Sequence, residues 1–413
     1  MTYESASVPK TPLVTISPLP VLQVCVIVPV RNEARRLAGT LRALYHQTDG
    51  QGNRLDCATY EVLILANNCR DDSAPLVRDF ARRHPDFSLH LIERELPPPQ
   101  AHVGYARRLL MDEAARRLLG VGRPRGIIAS TDGDTRVAPT WVSGMIHEVA
   151  RGADAVGGRI LVGRPGKKDP SAPASGTITP GRRYHLLDVG YRLLRSQLES
   201  RLDPDPADLW PRHYQMFGAS LALTAETYER VGGLPVLPSL EDVALYRALK
   251  QADARIRHSP LVRVHTSGRS RGRTPWGMAA QLRLWGTMEH QLVPFRVESG
   301  LAATARFRAK RALRQRWRSG PGSPLPVQQL AETLCLEPPV LTSLLALPHP
   351  FGSLWEAVQH HLDQPDGPWQ RRWPLVDIRS AIRELRHLLG KLPLCPLEPV
   401  EPVGGVPLPE LMT

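Results

Sequence analysis

The chain has 413 residues, enough to bury a sizeable core and to form one large domain with a smaller second unit. Its 42% hydrophobic content is that of a globular protein, and 53 Lys and Arg against 40 Asp and Glu leave a formal charge of +13. Such a charge suits an anionic partner, but it is spread along the chain, and with 6% aromatic residues and no reader motif a nucleic-acid-binding module is not expected.

Cys25, Cys57, Cys69, Cys335 and Cys395 are far apart, show no C-x-x-C pairing and are odd in number, so neither a zinc ribbon nor a secreted disulfide framework is suggested. No apolar run reaches the roughly 18 residues needed to span a bilayer. The opening MTYESASVPKTPLVTISPLP lacks the basic region and apolar core of a signal peptide. A cytoplasmic protein is expected, with membrane contact at most peripheral; Arg-rich segments such as 306–318, with Trp317, are the candidates for touching acidic lipid.

Residues 1–22 are rich in Ser, Thr and Pro and are expected to be a disordered tail. The β-type run 24–30 follows, then Arg31-Asn32-Glu33 and a helical pattern through Leu37, Leu41 and Leu44. A second apolar run, 60–66, stops at the polar cluster 67–73, ahead of a helix over 74–83. A third strand, 88–93, and a Pro-rich loop lead to a helix over about 102–119, and a fourth strand, 126–130, ends at Thr131-Asp132-Gly133-Asp134. Strands alternating with helices predict an α/β domain with a mostly parallel sheet, which binds ligands beyond the carboxyl ends of its strands. All these polar clusters lie at such ends.

The Pro/Gly/Ser stretch 164–181 is expected to be a mobile surface loop. After about residue 276 the pattern becomes Arg-rich helices broken by Pro-rich linkers, expected to be a small helical region whose residues carry no nameable chemistry.

Two carboxylates separated by one Gly, in a turn closing a buried strand, bring both side chains to one pocket while the middle residue lets backbone approach a ligand. Left alone they repel. A hard divalent cation, Mg²⁺ or Mn²⁺, relieves this, because it takes oxygen ligands and shares its shell with substrate phosphates. An ordinary Asp/Gly turn is the competing reading, and the turn's place after an apolar strand in a βαβ series favours the site.

At this point a resemblance becomes specific. Residues 26–33, VIVPVRNE, resemble the opening strand and loop of family 2 glycosyltransferases, and 67–72, NNCRDD, their second nucleotide-contacting loop. Asp132-Gly133-Asp134 resembles their D-x-D metal motif and Glu241-Asp242 their E-D acceptor-side motif, with Ala155-Val156-Gly157-Gly158, Gly218-Ala219-Ser220 and the segment 231–235, VGGLP, in the family's order.

The resemblance implies a GT-A fold over residues 23–275, a helical region over 276–413, and a metal-assisted transferase that moves a sugar from a nucleotide-sugar donor to an unidentified acceptor hydroxyl. It places Pro29, Arg31, Glu33 and Asn67 at the base and ribose, with the choice of base open because the family more often has Asp at the position of Asn67. The element 104–108, GYARR, puts Arg107 at the nucleotide or its diphosphate, where a guanidinium fork suits phosphate oxygens. Asp132 and Asp134 would hold the metal, with His265 in the place of a third ligand. The basic loop 269–273 could close over the diphosphate.

Glu241 and Asp242 carry the catalytic assignment, with Asp242 as general base in an inverting displacement; the alternative is a pair of acids that favours a helix N-terminus through the dipole. Three other readings stay open: a retaining transferase on the same fold, a nucleotidyltransferase, and a basic protein that binds nucleic acid or an anionic surface without catalysis. The nucleotidyltransferase is disfavoured, because Pro29-Val30-Arg31-Asn32-Glu33 stands where it needs a Gly-rich phosphate loop.

Overall fold

The computed structural model describes residues 11–163, 180–268 and 277–393. The first half alternates strictly: β1 (Val24–Val30), α1 (Ala34–Tyr45), β2 (Tyr60–Asn67), α2 (Ser73–Arg83), β3 (Leu89–Arg94), α3 (Val103–Gly120) and β4 (Ile127–Ser130). The chain continues through β5 (Arg136–Val137), α4 (Trp141–Ala150), β6 (Ala155–Val162), α5 (Pro180–Leu202), β7 (Leu221–Thr224), α6 (Ala225–Arg230), α7 (Glu241–Gln251) and β8 (Ile256–Thr266). These strands form one mostly parallel sheet in the order β3-β2-β1-β4-β7-β6-β8-β5, with β7 antiparallel to both its neighbours and β5 antiparallel to β8.

Helices cover both faces of the sheet, so β1 and β2 are apolar nearly throughout instead of alternating with polar residues. Val24, Val26, Val28 and Val30 point to one core, shared with Leu37 and Leu41 of α1, Phe80 of α2 and Trp141 of α4. Cys25 and Ile27 point to the other, shared with Leu110 and Leu118 of α3 and with Leu245 and Leu249 of α7. Each fully buried aliphatic side chain contributes about 1.5–3 kcal/mol, and the two layers fix where the strand ends open.

The remaining elements are α8 (Met278–His290), β9 (Arg296–Val297), α9 (Gly300–Ser319), α10 (Val327–Leu334), α11 (Pro338–Ala346), α12 (Phe351–Leu362), α13 (Pro368–Arg372), β10 (Val376–Asp377) and α14 (Ile378–Lys391). They form the helical region expected from the sequence, but a line at residue 276 does not separate two cores. Tyr191, Leu198 and Leu202 of α5 share a cluster with Phe307 of α9 and Leu385 of α14. The start of α12 is held to the end of α7, because both oxygens of Asp253 accept from the backbone N–H groups of Phe351 and Gly352, at 2.8 and 2.7 Å.

Four expectations need correction or fall outside the described residues. Part of the segment expected to be a disordered tail is packed: Val14 and Leu22 are buried, Glu113 accepts from the N–H groups of Leu13 and Val14, and Arg117 donates to the carbonyl of Ile16. Composition missed this because a few apolar residues and buried charged partners on α3 suffice to hold an irregular segment. The basic face of 306–318 is largely engaged internally: Arg306 pairs with Glu298 and Asp363, Lys310 with Glu199 and Asp203, and Arg314 with Asp203. Residues 164–179 of the expected loop and the basic loop 269–273 lie outside the described residues. Among the described residues no helix is long and apolar enough to cross a membrane.

Candidate functional site

The loops after β1 and β2 lock onto each other. Asn32 and Asn68 both adopt left-handed backbone, at φ 55° and 50°, a region that Asn tolerates better than most residues. The Asn32 side chain accepts from the N–H of Arg70 at 2.7 Å, Asp71 accepts from Ala34 N–H at 3.0 Å, and Ser73 Oγ accepts from Glu33 N–H at 2.8 Å. Pro29 and Asn67 thus stand on adjacent parallel strands at the open end of the sheet. Asn67 is 3% exposed and its Oδ1 is buried with no hydrogen-bond partner among the described residues. Such an orphan acceptor suits a ligand N–H donor.

The acidic turn follows β4 on the next strand over. Its backbone is anchored from three sides: Thr131 N–H donates to Ile27 O at 3.1 Å, Thr131 Oγ1 to Ala219 O at 3.0 Å, and Thr40 Oγ1 to Gly133 O at 3.0 Å. A Cβ on Gly133 would lie 3.1 Å from Val30 Cγ2 and 3.3 Å from Glu33 Cγ, so the small residue lets the turn lie against the first loop.

Asp132 receives a hydrogen bond from Arg107 Nη2 at 2.8 Å, and Arg107 Nη1 pairs with Glu241. Arg107 and Glu241 are each 4% exposed, whereas Asp132 keeps 35% of its side chain open. Withdrawal from water raises the Asp132 pKa above the ordinary carboxylate value; Arg107 opposes that shift, and the charges of Asp242 and Glu33 add to it. Asp132, Asp242 and Glu33 therefore converge electrostatically.

Asp242, in the first turn of α7, accepts from Gly218 N–H at 2.8 Å through Oδ2 and from Val243 N–H at 2.8 Å through Oδ1. Leu240, just before that helix, sits in left-handed backbone at φ 61°. Ser130 Oγ donates to Gly218 O at 2.9 Å, so the strand carrying the acidic turn and the loop holding Asp242 are bonded to each other.

The structure thus brings Glu33, Asp132, Arg107, Glu241 and Asp242 together, with Pro29 and Asn67 one and two strands away. It places several other expected residues differently. Arg107 is not an open phosphate fork, since both its terminal nitrogens are committed to carboxylates. Glu241 is buried against it and has no open face for a substrate. Arg31 is exposed and reaches Ala101 O at 2.9 Å, bridging to the loop before α3.

His265 is exposed and lies opposite Arg136 in the β5–β8 pair. Among the described residues no three His, Cys, Asp or Glu side chains gather to hold a metal. The two aspartates alone are a hard oxygen pair, which fits a cation that takes its remaining ligands from phosphate and water. Sequence reasoning noted the segment 218–220 but missed that the Gly218 N–H orients Asp242; no local pattern announces a contact across 24 residues. A cavity of about 1080 Å³ lies away from the acidic turn, between α5, α7 and the C-terminal helices, lined by residues such as Tyr246, Lys310 and Trp355.

Residues 25–189 match the family model described as Glycosyl transferase family 2. Comparison with curated proteins gives no match. Among solved structures, the chain is similar to the mannosyltransferase PcManGT from Pyrobaculum calidifontis in complex with GDP-Man and Mn²⁺, at 19% identity over 86% of this chain and 79% of that one, with a TM-score of 0.41. It is also similar to S. aureus TarS 1-349 in complex with UDP-GlcNAc, at 13% identity over 90% and 93% of the two chains, TM-score 0.42. A third is GalNAc-T7 with UDP, GalNAc and Mn²⁺, at 13% identity over 86% of this chain and 58% of that one, TM-score 0.43.

Proposed function

We propose that this glycosyltransferase, whose residues 25–189 belong to glycosyl transferase family 2, moves a sugar from a nucleoside-diphosphate donor to an acceptor hydroxyl with a divalent cation and inversion at the anomeric carbon. The observation that carries the reading is the joining of the acidic turn to Asp242: Ser130 and Asp242 both bond to Gly218, and Arg107 bridges Asp132 to Glu241, the residue before Asp242. A metal-carrying acid and a proton acceptor must flank one reacting carbon, and in this reading the two residues would do so from different elements.

In this reading Asp132 and Asp134 hold Mg²⁺ or Mn²⁺, which supplies charge neutralisation for the departing diphosphate when bound. Arg107 keeps Asp132 in place and is itself fixed by Glu241, so the two buried groups position without touching substrate. In this reading Asn67 Oδ1 offers an acceptor to the nucleobase, with Pro29 and Glu33 at the end of the neighbouring strand. Asp242 takes the proton of the acceptor hydroxyl as that oxygen attacks; its two backbone hydrogen bonds aim the carboxylate and leave lone pairs for the proton.

The test is calorimetric titration with UDP, GDP, CDP, ADP and dTDP, with and without Mn²⁺, on the parent and on Asp132→Ala/Asp134→Ala. Binding of one diphosphate that needs both cation and acidic pair supports the reading. Equal binding by the variant, or none by the parent, removes it. With the donor so identified, NMR of the product's anomeric configuration decides between inversion and retention.

A further inference from the structure

On the sheet face that also carries Arg107 and Asp242 there are two arginines that no carboxylate meets among the described residues. Arg159 of β6 and Arg263 of β8 are paired neighbours in parallel strands, brought side by side by a register shift between Gly158 and Arg159. Side chains alternate along a strand: Val156, Ile160, Val262 and Val264 enter one core, so Arg159 and Arg263 point to the opposite face. Gln215 and Met216 cover that face at Gly157, where an added Cβ would lie 2.3 Å from Gln215 O.

Both arginines are only partly exposed. Among the described residues neither guanidinium has an ion pair or hydrogen bond, while the arginines around them are paired. Arg159 faces Arg263 and the Tyr214 hydroxyl, and its charge is also felt at His213. Asp188, the nearby carboxylate, accepts from Arg192 Nε with both oxygens at 2.9 Å. Burial and the facing Arg263 hold the Arg159 pKa below its ordinary value. Like charges directly opposed across strands destabilise a sheet, and bulges are places where a side chain is re-aimed for use.

The position selects the ligand. Gly157 lies opposite Leu221, and Leu221 opposite Ser130, so Arg159, two residues further along, is level with Asp132. At about 4.8 Å per strand, the pair stands about 10–14 Å from the acidic turn. It lies on the side away from Pro29 and Asn67, with Asp242 on the same sheet face.

We infer that Arg159 and Arg263 form an oxyanion-binding subsite for the acceptor, so that the sugar is passed to a hydroxyl compound carrying a phosphate or carboxylate group. This rests on the glycosyl-transfer reading and adds the acceptor's chemical class. Two guanidinium groups offer paired donors to one tetrahedral or planar anion, as phosphate and carboxylate recognition requires.

The experiment uses the full chain saturated with the nucleoside diphosphate that binds it best and Mg²⁺, then titrated with inorganic phosphate and, separately, with propionate. A second anion site is expected to bind one of these probes. Arg159→Gln and Arg263→Gln should each weaken it about tenfold or more, with nucleoside-diphosphate affinity changed less than about twofold. Arg159→Lys and Arg263→Lys keep the charge and should retain part of the binding, and matched thermal midpoints separate loss of the subsite from loss of fold. Unchanged probe binding in both Gln variants overturns the inference, as does a parallel fall in nucleoside-diphosphate affinity, which would assign the pair to the donor. If no nucleoside diphosphate binds, the transfer reading fails by itself, and the metal-free phosphate titration still reads whether the two arginines hold an anion.

Discussion

Arg107 and Glu241 stand 134 residues apart in the chain and form an ion pair in which each side chain is 4% exposed. Removing one partner of such a pair strands a charge away from water, a loss of about 3–5 kcal/mol. Arg107→Ala is therefore expected to cost stability in urea denaturation, and more than Glu241→Gln, which keeps the shape and a hydrogen-bond acceptor. A loss for Arg107→Ala below about 1 kcal/mol would mean that the pair is open to solvent.

Asp242 is held by the Gly218 and Val243 N–H groups, one on each oxygen, and an amide keeps the one bond that its oxygen accepts while its NH2 group cannot accept the other. Asp242→Asn should then bind donor as the parent does while kcat drops by about 10²–10⁴, the range for losing a positioned base. Asp132→Ala should instead abolish cation-dependent diphosphate binding. Equal KM and kcat changes in the two variants would contradict the separate roles assigned to them.

Glu61 gives a pH signature independent of catalysis. It is 3% exposed; burial pushes its pKa up, but hydrogen bonds from Arg117 and His90 and the charge of Arg117 win, carrying it from an ordinary 4.5 to about 2. A depressed folded-state pKa adds stability that is complete above the unfolded value and is lost as pH falls through the folded one. The stability gap between parent and Glu61→Gln should be widest at neutral pH, on the order of 3 kcal/mol, and close between about pH 4.5 and 2. A gap that stays constant across this window would remove the ion pair as its source.

Much of this was legible before any coordinates. The runs 24–30, 60–67 and 127–130 announce strands because a sheet covered on both faces needs continuous apolar sequence, and the acidic turn is visible because it interrupts such a run. Arg107 and Glu241 were picked out, but their true relation was not visible: no local spacing tells that an arginine in one helix will be buried against the first residue of another. His265 has the right residue type at the end of a strand; alternation along β8 buries Val262 and Val264 in one core and leaves His265 on the other face, exposed and opposite Arg136.

Leu240 is 53% exposed and holds φ 61°, so its side chain gains little from packing while its backbone pays for a left-handed turn. Leu240→Gly should leave stability within about 1 kcal/mol of the parent, because relief of the backbone offsets the added freedom of the unfolded chain. Leu240→Val, branched at Cβ, should lose more than about 1 kcal/mol. The reverse order in thermal unfolding would show that the side chain, not the backbone, matters at the start of α7.

Asp253 receives α12 at the end of the same helix whose first turn carries Asp242, and Arg247 on that helix pairs with Glu356 on α12 at 2.5 Å. A Cβ on Gly352 would lie 1.7 Å from Lys250 O, so the two helices meet backbone to backbone. The helix that presents the proposed base is thus clamped at its far end by the C-terminal helical region. Cutting the chain where the nucleotide-type sequence pattern stops would remove that clamp, and a shortened transferase would keep its acidic turn while losing the aim of the residue across from it.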